Sequence, residues 1–160
     1  MTKAGRFMYS MTMKAESFFE KKEWLWWILN LTWGFALTFI SAFIALFVRI
    51  AFKCKPSRFH QEICFKFGSN WGGLEGGIFI FVAGNVPDDF CLHTKQHELG
   101  HSFQNALLGP FCILLSTIPS IIRYWILRLT KSSKDYDAVW FEKSATDAGK
   151  AYDEHCKKDN

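Results

Sequence analysis

The stretch DFCLHTKQHELGHSFQNALLGP, residues 89–110, decides the reading of this chain. At 100° per residue, Leu92, Leu99, Phe103 and Ala106 fall on one face, and His97, His101 and Gln104 on the opposite one. The pattern predicts a helix with an apolar back and a polar front, ended by Gly109-Pro110 and capped by Asp88 or Asp89. Histidines at i and i+4 sit on consecutive turns, and two such imidazoles can each place a nitrogen ~2.0–2.1 Å from one zinc ion. Glu98 follows the first histidine, so it lies beside the ion without ligating it. From there it can take a proton from a water that the metal has acidified.

Five His and eight Glu in 160 residues make a chance H-E-x-x-H roughly a one-in-a-hundred event in a motif search. The β-rich run upstream strengthens the match. His93, one turn earlier, would stand about 12 Å along the axis from His101 and cannot share its ion. His60 and His155 have no partner at ligand spacing and read as surface residues.

Working upstream, Ile78–Val82 is a continuous β-prone run, and Ile63, Phe65 and Phe67 alternate with Cys64 and Lys66. With GSNWGG between them, these runs predict a hairpin or small meander. In zincin folds, which the H-E-x-x-H helix resembles, the strand before that helix is an edge strand that aligns the substrate backbone, a role the resemblance would give Ile78–Val82. Further back, Trp24–Val48 holds 25 residues without a charge. As one helix it would reach about 37 Å, enough to cross a hydrocarbon core of ~30 Å. It predicts a retained single-pass anchor over residues 24–52 rather than a cleaved signal peptide. Residues 1–23 read as a short interfacial helix or loose tail, and residues 53–160 as the functional domain. Lysine and arginine flank both ends of the anchor, so its orientation stays open. Five cysteines, an odd number with no C-x-x-C pair, point to a reducing, cytoplasmic side.

Working downstream, Leu107–Ile122 is apolar but short and broken by Pro110 and Pro119. It is expected to pack in the core, or to dip into one leaflet and return, open to lipid or to a membrane protein partner. A full crossing would put residues on its two sides on opposite faces of the bilayer. A catalytic zinc takes three protein ligands and one open position. The positions where metzincins carry a glycine and a third histidine are Gln104 and Leu107, so the third ligand must come from elsewhere. In DYDAVWFEKSATDAGKAY, Ala138, Phe141, Ala145, Ala148 and Tyr152 recur at helical spacing, and Glu142 sits beside that stripe. Glu142 on a second packed helix would complete a His-His-Glu set. Asp135 and Asp137 read as loop residues.

These elements resemble the gluzincin class of zinc metallopeptidases. They are closest to small, uncharacterised bacterial membrane-associated members carrying H-E-x-G-H-x-x-Q-N, G-P, P-S-x-I-R-Y-W and W-F-E-x-x-A-T. Here those motifs are His97–Asn105, Gly109-Pro110, Pro119–Trp125 and Trp140–Thr146, and the resemblance spans about residues 55–150. It implies an α+β, minimal zincin-like domain: a small antiparallel sheet or hairpin, the H-E-x-x-H helix and a C-terminal helix carrying the glutamate ligand. It also implies one zinc ion on His97, His101 and Glu142, with Glu98 catalytic and a peptide or protein substrate. Gluzincins usually place an aspartate four residues after the ligand glutamate. Here that position is Thr146, expected with Gln104 to support the imidazoles, and Asp147 lies one residue off the face. A net charge of +4 without a basic stripe sets nucleic acid aside. The rival readings are a non-catalytic zincin-fold membrane scaffold or partner-binding protein, and a protein whose zinc is structural.

Overall fold

A computed structural model describes residues 3–68, 70–131 and 136–158. Among them the elements run α1 (Lys3–Lys21), α2 (Glu23–Leu31), α3 (Phe35–Ala51), β1 (Ser57–Phe59), β2 (Glu62–Phe67), β3 (Gly73–Gly76), β4 (Phe79–Ala83) and α4 (Asp88–Leu108). A π-helical segment (Ile113–Thr117) then leads into α5 (Ile118–Leu129), and a single 3-10 turn (Tyr136–Ala138) precedes α6 (Trp140–Lys158). The fold is mixed α+β, with six α-helices around one four-stranded sheet.

The sheet order is β1-β2-β4-β3, with β2 and β4 parallel and the other pairs antiparallel. It is therefore not the expected hairpin or meander. β4 lies inside the sheet, and the edge strand against α4 is the short, glycine-rich β3. An all-apolar β4 fits that central place, because both of its faces are covered. Phe65 and Phe81 pack with Ala45 and Val48 of α3 on one side. Cys64, Ile80 and Val82 meet Cys91 of α4 on the other.

The N-terminal segment is not a loose tail. α1 packs Ala15 and Phe19 into the main core with Leu99, Phe103, Ala148 and Tyr152. The charge-free stretch after it is not one straight rod. It breaks at residues 32–34, so α2 and α3 are bent by 85°. No single helix among the described residues is long and apolar enough to cross a membrane, though this pair passes that test together. The break has visible causes. Thr32 turns its hydroxyl onto the Ile28 carbonyl, and Gly34 sits against the Asn105 side chain, where a Cβ would collide. Asn105 donates to Asn30 Oδ1 at 2.7 Å, and Thr38 donates to the Asn30 carbonyl at 2.9 Å. A buried polar knot thus pins the bend to α4.

Pro87, not Asp88 or Asp89, is the N-cap of α4, and both aspartates sit in its first turn, where they complement the helix dipole. Leu92 on the expected apolar back is exposed, whereas Leu99, Phe103 and Ala106 are buried. Residues 107–122 do not pack in the core as a unit. Phe111, Leu114 and Leu115 are exposed, and α5 has no buried residue.

Candidate metal centre

Glycine sets the approach of the two helices that build the centre. A Cβ on Gly100 would strike the Ala145 carbonyl, and one on Gly149 would strike the Gln96 carbonyl. With neither present, α4 and α6 cross almost backbone to backbone. That crossing brings Glu142, in the first turn of α6, to the histidine face of α4.

The three side chains converge at one point. Glu142 Oε2 lies 3.1 Å from His97 Nε2 and 3.1 Å from His101 Nε2, and the two Nε2 atoms are 3.2 Å apart. Ligands held tetrahedrally 2.0–2.1 Å from one zinc stand roughly 3.3 Å apart, so the triangle has the right size. All three residues are buried. Glu142 Oε1 is buried without a hydrogen-bond partner among the described residues. Two inward imidazole nitrogens and a carboxylate are a donor set that could hold a divalent cation.

The outer nitrogens are held. His97 Nδ1 pairs with Thr146 Oγ1 at 2.8 Å, and His101 Nδ1 donates to Gln104 Oε1 at 2.9 Å. A proton on each Nδ1 leaves each Nε2 lone pair free for a metal. Gln104 is itself tied down, donating to the Phe141 carbonyl and Ser144 Oγ, while Ser116 donates to its Oε1. One side chain therefore joins α4, α6 and the π-helical segment. Asp147 turns away, accepting from Tyr9 and pairing with Lys143.

Electrostatics favour positive charge at the centre. Burial pushes the His101 imidazole down, but the Glu142 carboxylate reverses this and lifts it to about 9. Burial likewise pushes Glu142 up, and the two histidines overcome it, holding the carboxyl well below the usual range. Glu98 is raised by burial, against the pull of His97 and His101. It fits against β3 because Gly73 has no Cβ to occupy the space.

The centre lies in a cavity of about 1090 Å³ between β3 and α5. His93 lines this cavity but does not join the converging atoms. His60 and His155 are not idle surface residues. His60 pairs with Asp153 at 2.9 Å, and His155 with Glu16 at 3.0 Å. Asp135 lies outside the described residues.

Two residues at the centre escaped the sequence. Glu75, buried on β3, bonds the Gly77 N–H and lines the cavity, and burial pushes it up to about 8. Tyr136 places its ring 6.0 Å from that of His97, with its hydroxyl on Ser120 at 2.5 Å. Burial and the Glu142 carboxylate raise its phenol. Glu75 sits in a glycine-rich turn region and Tyr136 in an irregular connection, so neither carried a periodic signal. No protein-family profile, curated protein or solved structure matches the chain.

Proposed function

We propose that this protein is a zinc-dependent peptidase, held at a membrane through residues 24–52, with a minimal zincin-like arrangement around α4 and α6. The observation that carries this reading is the convergence of His97 Nε2, His101 Nε2 and Glu142 Oε2, with Glu98 beside them in an open cavity. The ion, when bound, would polarise a substrate carbonyl and acidify a water.

The chain's own groups do the rest. Thr146 and Gln104 fix the two Nδ1 positions, so the imidazoles need not reorganise. Glu98 accepts the proton of the attacking water at its carboxylate and returns it to the departing amine nitrogen. Burial favours the protonated form, so Glu98 is a stronger base than an exposed carboxylate and still able to release the proton. Residues of β3 and α5 wall the cavity that Glu98 lines.

One observation favours the scaffold reading. A neutral hydroxyl, Thr146, stands where a carboxylate would make His97 more basic. Glu98→Gln separates the two. Hydrolysis of a dye-quenched unfolded protein should fall by about 10²–10⁴-fold, with zinc retained. Equal activity in the variant and wild type, or none in either, would remove the peptidase assignment.

A further inference from the structure

The polarity of α3 and α5 runs the wrong way for helices that end in water. Toward the sheet, α3 presents Leu37, Thr38, Ser41, Ala45 and Val48. Its larger residues point outward: between Phe35 and Phe52, eight Phe, Ile and Leu side chains are 49–69% exposed. The second apolar stretch repeats this inversion. Its inward side chains are Cys112, Ser116, Ser120 and Arg123, the last two bonded to Tyr136. Outward, nine large apolar side chains between Phe111 and Leu129 are 42–76% exposed. Small and polar side chains inside with bulky apolar ones outside is the arrangement of helices solvated by lipid. Exposed patches of this kind mark contact surfaces.

The two surfaces meet. The Trp33 ring, at the bend between α2 and α3, lies 6.3 Å from Phe111, and Trp33 Nε1 donates to the Leu107 carbonyl. No charged residue occurs in 24–48 or in 107–122, whereas Lys21, Lys22, Arg49, Lys53, Arg128 and Lys131 stand exposed at their ends. An apolar surface whose exposed cations, Arg128 among them, stand near its ends suits a bilayer containing anionic phospholipid. Ile121 and Trp125 belong both to this surface and to the lining of the site cavity.

We propose that the outer faces of α3 and of residues 111–129 form one lipid-facing surface in a bilayer containing anionic phospholipid, with the mouth of the site cavity at its edge. The proposal rests on the membrane attachment given above and extends it to α5; it does not depend on the metal chemistry. Substrate would reach the cavity from the membrane boundary.

The test is the fluorescence of Trp125 in the full chain, reconstituted in phosphatidylcholine–phosphatidylglycerol vesicles and obtained as the difference between wild type and Trp125→Phe. With brominated acyl chains, the Trp125-dependent emission should lose most of its intensity, while aqueous iodide should have little effect. Quenching by iodide but not by bromine would mean α5 faces water. Quenching by neither would mean a second copy or another protein covers it. Either result, with the chain still floating with the vesicles, would overturn this proposal and leave the 24–52 attachment standing. A chain that does not float would overturn both.

Discussion

The crossing of α4 and α6 and the outer surface of α3 and α5 use hydrophobic residues in opposite ways. In the first, glycine and alanine let backbones touch, and the enclosed His97, His101 and Gln104 side chains are held by hydrogen bonds. In the second, bulky aromatic and aliphatic side chains point away from the protein, and the polar groups turn inward. One arrangement holds backbones in close contact; the other offers a broad apolar surface that points away from the described chain. The centre depends on the first, and its surroundings on the second.

The largest effect should come from breaking the crossing. Gly149→Val would drive its Cβ into the Gln96 carbonyl. A loss of about 3 kcal/mol or more in unfolding free energy is expected, read by denaturant unfolding in detergent. An effect below about 1 kcal/mol would mean the helices can separate without penalty.

A smaller effect tests a buried carboxyl on β2, Glu62. Burial raises the Glu62 carboxyl well above its ordinary value, Ser102 opposing and the Glu75 and Glu98 charges assisting. A group whose pKa is higher folded than unfolded contributes stability in full below the unfolded value, near 4.5. That contribution drains as pH rises through the folded value. Wild type should therefore lose melting temperature as pH rises above the unfolded value near 4.5, and Glu62→Gln, which stays neutral, should lose less. Parallel profiles would show that Glu62 is ionised in the fold.

The smallest effect belongs to the outer surface. Ile126→Lys removes a half-exposed side chain from α5, and the folding stability in detergent should stay within about 0.5 kcal/mol of wild type. A large loss would place α5 inside a protein core and erase the contrast.

Much of the centre was legible because its signals are local. His97, Glu98 and His101 lie within five residues, and Glu142 sits beside an apolar stripe at helical spacing. What brings them together was not legible. The crossing depends on Gly100 and Gly149 meeting carbonyls of the opposite helix, and a glycine does not announce its partner. The strand order escaped for a similar reason. β3 reads Gly-Leu-Glu-Gly, without β-prone residues, so Ile78–Val82 looked like the edge. The bend at residues 32–34 was hidden because Trp33 and its neighbours keep the stretch charge-free. Hydropathy measures composition along the chain, whereas the bend comes from Asn30 and Asn105, 75 residues apart.

The most direct test of the metal centre is zinc content, by elemental analysis of detergent-purified protein, for wild type beside Glu142→Ala. About one zinc per chain in wild type and a clear loss in the variant, as expected of a three-ligand site, would bear out His97, His101 and Glu142 as its ligands. A folded wild-type protein without zinc, or a variant that keeps all of it, would contradict that assignment.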